Sequence, residues 1–99
     1  MLDNKQKKYL KSLANGLNAI FQVGKDGVSK NQIIGIKDAL EAHELVKISI
    51  LKTCLSPVRE VALDIASATR SEIIQVIGRT IVLYKESKKK IIELPKSKK

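Results

Sequence analysis

The sequence has few of the residues on which active sites and metal centres are usually built. Among its 99 residues there are one cysteine, Cys54, and one histidine, His43. A structural zinc site needs about four ligands of these types, and a disulfide needs a second cysteine. A nucleophile paired with a base cannot be assembled from the two residues either, so we expect no enzyme, no metal and no cofactor.

Aromatic residues and long apolar runs are also scarce. The three aromatic residues, Tyr9, Phe21 and Tyr84, are too few for a surface on which successive bases stack. No apolar stretch approaches the roughly 20 residues of a membrane span, and the lysine-bearing N-terminus does not resemble a signal peptide. We therefore expect a cytoplasmic protein with neither a membrane nor a small molecule as its partner.

Positive charge is abundant and unevenly distributed. The formal net charge is +9 and the pI is about 9.8. Residues 1–16 carry a net charge of +3 and residues 85–99 one of +5, whereas residues 17–84 hold eight cations and seven anions. Two basic ends around a nearly neutral body predict a polyanionic partner. An ordinary solvated basic face is the alternative.

The spacing of apolar residues predicts seven elements joined by short connections. They are a helix that begins at Asp3 or Asn4 and stops in a left-handed turn near 15–16, a strand at 19–23, a helix at 29–44, a strand at 45–52, a helix whose first residue is Pro57, and strands at 72–78 and 80–86. The last two strands are close enough for a tight hairpin or a bulge at Gly78. We therefore predict a single compact α/β domain, order αβαβαββ, with a mixed four-stranded sheet, and a monomer.

Helical periodicity also predicts which faces are buried. In the second helix it places Ile33, Ile36, Leu40 and His43 on one stripe, and in the third it turns residues such as Ala68 toward the core. The first helix has the opposite character on its outer face, which is cationic and includes Lys5 and Lys8. Since these lysines have no acidic partners along the helix, we predict that they contact a polyanion.

The segment "FQVGKDGVSKNQ", residues 21–32, is the strongest functional signal. Gly24 and Gly27 flank Lys25 and Asp26 between a predicted strand and a helix, and Lys30 stands in the first helical turn. Glycines let a phosphate approach the backbone, and free amides at a helix start attract it. A GxxG loop of this kind clamps about four nucleotides in KH domains. The alternative is a plain turn, and the P-loop spacing is absent.

The charges of the second helix support this interpretation. Its cations lie near the start and its acids, Asp38, Glu41 and Glu44, near the end. Both placements oppose the helix dipole, at about 0.3–1 kcal/mol per charge. We expect the basic end to bind a polyanion and the acidic end to face something else.

Three segments resemble a known family: "LKSLANGLNAIFQVGKDGVS" at 10–29, "ALEAHELVKISI" at 39–50 and "IIQVIGRTIVLYKES" at 73–87. Together they resemble the stand-alone bacterial CRM-domain RNA-binding proteins of the YhbY type, named for chloroplast RNA splicing and ribosome maturation. The resemblance implies a fold similar to the C-terminal domain of translation initiation factor three. It also implies that the protein binds RNA. In bacteria, such proteins are implied to associate with precursors of the large ribosomal subunit. It places a CRM-type domain at residues 1–87 and leaves 88–99 as a basic, partly flexible tail. Within the tail, the apolar residues of "IIEL" predict that this stretch packs back on the body.

The resemblance also implies site residues. Gly24, Lys25, Asp26 and Gly27 match the RNA-contacting loop, and Arg79 belongs to a second matching segment, glycine–basic residue–threonine. Lysine at position 85 stands where the family often has arginine, which keeps the charge without the planar fork. The full set of predicted contacts is Gly24, Lys25, Asp26, Gly27, Lys30, Arg79, Lys5, Lys8 and Lys85.

The prediction is therefore a non-enzymatic protein that binds structured ribosomal RNA during assembly of the large subunit. Two other functions stay open. One is a basic chromatin-type protein that binds duplex DNA. The other is an adaptor whose acidic and basic helix ends dock a protein on pre-ribosomes.

Overall fold

The computed structural model describes residues 2–95, with three helices and four strands in the predicted order αβαβαββ. The elements are α1 Asn4–Ala14, β1 Phe21–Val23, α2 Lys30–His43, β2 Leu45–Ile50, α3 Val58–Thr69, β3 Glu72–Ile77 and β4 Thr80–Tyr84. Over the described range, every helix is too short or too polar to cross a membrane.

The sheet is mixed, with strand order β1-β2-β4-β3. β1 is parallel to β2, whereas β4 is antiparallel to both β2 and β3. Gly78, at a positive φ of 55°, begins the two-residue hairpin between β3 and β4, and the ladder is irregular between Ile73 and Gln75. The carboxyl ends of β1, β2 and β3 therefore lie at one end of the sheet, together with the start of β4. We call this the turn end.

Helices cover both faces of the sheet. On one face α2 and α3 pack against alternate residues of β2, namely Val46, Ile48 and Ile50, all at most 1% exposed. On the other face, α1 contributes Leu10 and Ala14 to a second cluster. The strand residues in this cluster are Leu45, Ile74, Val82 and Tyr84. Because each fully buried Val, Leu or Ile contributes about 1.5–3 kcal/mol, these two clusters hold the strand ends in fixed positions.

The helix boundaries depart from the prediction in small ways. Asp3 caps α1 as predicted and Ser29 caps α2, but Asn15 ends α1 in a right-handed conformation rather than the predicted left-handed one. Pro57, predicted as the first residue of α3, is its N-cap instead, because its ψ of 142° is extended.

Two residues predicted to face the core are exposed instead. Ala68 stands at the edge of the buried stripe of α3, about 100° around the helix from Thr69, which is buried and donates from Oγ1 to the Ile65 carbonyl at 2.8 Å. His43 is the last residue of α2, and the chain turns away at Glu44, whose φ is 66°. The helix therefore ends before His43 can pack.

The segment that follows β4 crosses the far end of the domain. Ile92 and Leu94 are partly buried against the α1 cluster, and Gln6 donates from Nε2 to the Pro95 carbonyl at 3.0 Å. The predicted packing of "IIEL" on the body is thus present for two of its four residues, since Ile91 and Glu93 are exposed. The predicted flexible end of the tail, residues 96–99, lies outside the described residues.

Candidate nucleic-acid interface

Three connections meet at the turn end, where hydrogen bonds join them and the adjoining strand ends. They are residues 24–29, residues 51–57 and the hairpin turn 78–79. The Leu51 amide donates to the Val23 carbonyl at 2.8 Å, and the Ile50 amide donates to the Arg79 carbonyl at 2.7 Å. In addition, Arg79 Nη1 donates to the Leu51 carbonyl at 3.2 Å. The starts of these connections are therefore held next to one another.

The GxxG turn, residues 24–27, is closed by a bond from the Gly27 amide to the Gly24 carbonyl at 3.0 Å. Its two glycines are needed for different reasons. A Cβ on Gly24 would lie 3.3 Å from Thr53 Oγ1 and 3.4 Å from Leu51 Cδ1, so this glycine lets the turn pack on the neighbouring loop. Gly27 has a φ of 70° and open space around it, so its backbone conformation is what requires glycine.

The start of α2 is less open than the sequence suggested. In a capping box, Ser29 Oγ accepts from the Gln32 amide at 3.1 Å, and Gln32 Oε1 accepts from the Ser29 amide at 3.2 Å. The amides of Ser29 and Gln32 are therefore occupied by the protein's own side chains. The amides of Lys30 and Asn31 precede the internal bonding of the helix and have no acceptor within residues 2–95.

Further unpaired amides lie in the turn itself. Across the described residues, the N–H groups of Lys25, Asp26 and Val28 donate to no protein acceptor. Together with the two helical amides they form a row of donors along residues 25–31. Five of the seven backbone N–H groups of residues 25–31 therefore have no acceptor within residues 2–95.

The charge of this surface is mostly positive. The three connections contain Lys25, Lys52 and Arg79 against a single acid, Asp26, and all four side chains are exposed. Lys30, the first residue of α2, adds another exposed cation. Lys52 was not among the predicted contacts. It follows the strand that is parallel to β1, so the rule that parallel strands end together could have found it.

The structure separates the remaining predicted contacts from the turn end. β4 runs away from Arg79, so Lys85 lies about 20 Å farther along the sheet at about 3.3 Å per residue. Lys5 and Lys8 are exposed on the first half of α1, which lies beside the C-terminal segment. The nine predicted contacts thus form two groups on the domain.

The acidic end of α2 binds the protein's own C-terminal segment. The Glu44 side chain is fully buried, and its carboxylate accepts from the amides of Ser87 at 2.6 Å and Ile92 at 2.5 Å. Burial alone raises the pKa of a carboxyl, but these backbone donors more than offset it, so the pKa of Glu44 lies below its ordinary value of 4.5. Glu41 accepts a longer bond, 3.4 Å, from the Lys88 amide. Sequence reasoning missed this pairing.

The two residues considered for chemistry lie far apart. Cys54 is buried in the loop at the turn end, whereas His43 is exposed at the opposite end of β2. Within residues 2–95, no cluster of three His, Cys, Asp or Glu side chains is arranged to hold a metal ion.

Comparison with known proteins agrees with this architecture. The model of the CRS1/YhbY (CRM) domain matches residues 2–85. A Bacillus subtilis protein named "Probable RNA-binding protein YqeI" is 53% identical over 96 residues, which cover 96% of this chain and all of that protein. A Haemophilus influenzae protein named "RNA-binding protein" is 33% identical over 95 residues, 96% of each chain.

A solved structure shows the same fold. The solution structure of SAV1595 from Staphylococcus aureus superposes with a TM-score of 0.79 at 50% identity and covers 96% of this chain and all of that one. The fold and the family predicted from the sequence are both confirmed. The chain belongs to the CRS1/YhbY (CRM) domain family.

Proposed function

We propose that this protein binds structured RNA through the turn end, catalyses no reaction, and acts in assembly of the large ribosomal subunit. The observation that carries the proposal is the row of unpaired amides along residues 25–31, which lies among Lys25, Lys30, Lys52 and Arg79. Phosphate oxygens accept hydrogen bonds from backbone amides and from lysine and arginine side chains.

The chemistry of the turn end suits a sugar–phosphate backbone. Phosphates accept from the backbone amides of the GxxG turn, and the ammonium and guanidinium groups around it neutralise their charge. Phe21, the only aromatic residue in the adjoining strand, is partly buried in the core and offers no open ring for stacking. Affinity should therefore depend strongly on salt and weakly on overall base composition.

Two lines of support favour RNA of the large subunit over the other functions. The relatives from B. subtilis and H. influenzae carry names that include RNA binding, and the resemblance of the motifs to the YhbY type implies large-subunit precursors. The adaptor hypothesis needs the acidic end of α2 for a partner protein, but Glu44 and Glu41 already accept bonds from residues 87–92. Direct contact with RNA is therefore favoured over docking of a partner protein at this end of α2.

The experiment compares a variant of the GxxG turn with a charge reversal in α2, the helix that follows the turn. In Lys25→Glu/Asp26→Glu, bulky acidic side chains occupy both turn positions. Lys37→Glu is the control, because Lys37 is exposed in the middle of the same helix. Binding to a labelled large-subunit rRNA fragment is measured by fluorescence anisotropy at about 150 mM salt. We expect the turn variant to bind about tenfold more weakly and the control to change little.

The competing outcomes are distinct. An equal loss in both variants would mean that charge alone, rather than the turn, governs binding. Better competition by duplex DNA than by rRNA would favour the chromatin-type function. For the role in assembly, the protein should sediment with large-subunit precursors in cell extract and be released by nuclease, and the turn variant should fail to sediment with them.

A further inference from the structure

A groove of about 360 Å³ opens beside the GxxG turn, between the start of α2 and α3. Val28 and Ile33 line its α2 side, and Val61 and Ala68 line its α3 side. Its wall also includes one carboxylate, that of Asp64. Ser56 lines it as well, so the groove combines apolar side chains with one carboxylate and one hydroxyl, and it adjoins the row of backbone donors.

We propose that this groove binds an unstacked guanine base of the RNA. The inference rests on the proposed function, because the base must belong to a strand whose phosphates lie on the turn. Gly27 belongs both to that turn and to the groove wall, so a nucleotide bound at the turn has the groove next to it. The volume lies within the range of about 300–1,000 Å³ typical of small-ligand pockets.

The carboxylate selects guanine among the four bases. An ionised Asp accepts hydrogen bonds and donates none, and within residues 2–95 no protein group donates to Asp64. Guanine presents two neighbouring donors, N1–H and the N2 amine, which match two carboxylate oxygens. Adenine, cytosine and uracil each place an acceptor beside their donor on this edge, and that acceptor would face the negative charge.

The apolar walls complete the recognition. Single-stranded RNA is read through bases splayed away from their neighbours, and such bases need a surface that replaces the lost stacking. Val28 and Ile33, which are only partly buried, offer that surface without an aromatic ring. The charge of the turn end fits the same occupant, because the phosphates on either side of this nucleotide's ribose would lie near Lys25 and Lys30 on the adjoining segment.

The test uses the full chain and fluorescein-labelled nine-nucleotide RNAs made of uridine with a central G, A, C or inosine. Inosine retains N1–H and lacks the N2 amine. We expect the G-containing RNA to bind about tenfold more tightly than those with A or C, with inosine between them. In Asp64→Asn this preference should disappear. Glu60→Gln removes the same charge from an exposed position of α3 outside the groove, so it should keep the preference.

A second pair of variants tests the groove without changing charge. Ala68→Leu fills the groove and should also abolish the preference, whereas Ser67→Leu adds the same side chain at an exposed neighbouring position and should not. Circular dichroism identifies any variant that fails to fold, and the other pair then decides.

Each contrary result has a separate meaning. Equal binding of all nonamers, or a G preference that survives both groove variants, would overturn the inference and leave the proposed function intact. Binding of the rRNA fragment without binding of any nonamer would also overturn it, because an unpaired base is the proposed occupant. If neither the nonamers nor the rRNA fragment bind, the proposed function itself fails.

Discussion

Glu44→Gln should strongly destabilise this protein although it changes only one functional group. Glu44 is fully buried and holds the segment after β4 through two amides, those of Ser87 and Ile92. Its backbone takes part as well, since the Glu44 carbonyl accepts from the Lys85 amide at 2.9 Å. Substitution by glutamine preserves the shape and the backbone bond but removes one acceptor and the charge.

The expected magnitude follows from the two carboxylate bonds. A hydrogen bond to a charged group contributes about 1.5–3 kcal/mol, and a buried donor left without a partner costs about 1–3 kcal/mol. Glutamine keeps one acceptor, its Oε1, but places its side-chain NH2 opposite the second backbone amide. One of the two hydrogen bonds is therefore lost, and the other no longer involves a charged acceptor. We expect a loss of about 2–4 kcal/mol in the free energy of unfolding, or about 10–20 °C in Tm for a domain of this size.

Urea unfolding between pH 7 and pH 3 provides the assay. Because the pKa of Glu44 is lowered on folding, its contribution to stability is present above its ordinary value of 4.5 and is lost as the pH falls through the folded value. The difference in the free energy of unfolding between wild type and Glu44→Gln should therefore be largest at pH 7 and shrink below pH 4.5. Glu41→Gln is the control, since its one bond is long and exposed.

Equal stability losses for Glu41→Gln and Glu44→Gln would refute the reasoning, because the two side chains differ mainly in burial and in the number of amides they accept from. A difference between wild type and Glu44→Gln that does not depend on pH would also refute it. In that case the carboxylate charge would not be the source of the stabilisation.

Two further predictions concern the turn end. Gly27→Ala should lower Tm by about 4–16 °C, because a φ of 70° costs a residue with a Cβ about 1–2 kcal/mol, whereas Gly16→Ala, at an ordinary φ, should have no such effect in thermal unfolding. Lys52→Ala should reduce the slope of log affinity against log salt for rRNA by about one, and Lys37→Ala should leave the slope unchanged in the same titration.

The parts of the fold that could be predicted depend on residues close together in the chain. Val46, Ile48 and Ile50 alternate along β2, a local pattern that favours a strand with one buried face, and the caps at Asp3 and Ser29 depend on residues three positions away. The hairpin at Gly78 is equally local. In each case the physical determinant is contained within about one helical turn or one strand, so a single sequence is enough to predict it.

The parts that could not be predicted depend on distant contacts. Glu44 looks like an exposed acid at the wrong end of a helix, because its two donors lie 43 and 48 residues farther along the chain. Gly24 looks like a glycine that serves a ligand, and only the approach of Thr53 shows that packing also requires it. Lys52 and the groove at Asp64 likewise follow from which loops and helices become neighbours after folding.

The reversed charges of α2 have different consequences at its two ends. At the C-terminal end, two amides of the tail segment offset the burial and charge of Glu44, so that end is stabilised within the free protein. At the N-terminal end, Lys30 stands against the helix dipole, and the amides of Lys30 and Asn31 have no acceptor within residues 2–95. A phosphate bound there would satisfy the donors and relieve the repulsion at once. Since a ligand that binds only the folded state stabilises it by RT ln(1 + [L]/Kd), RNA should raise the stability of wild type and do so much less in Lys25→Glu/Asp26→Glu.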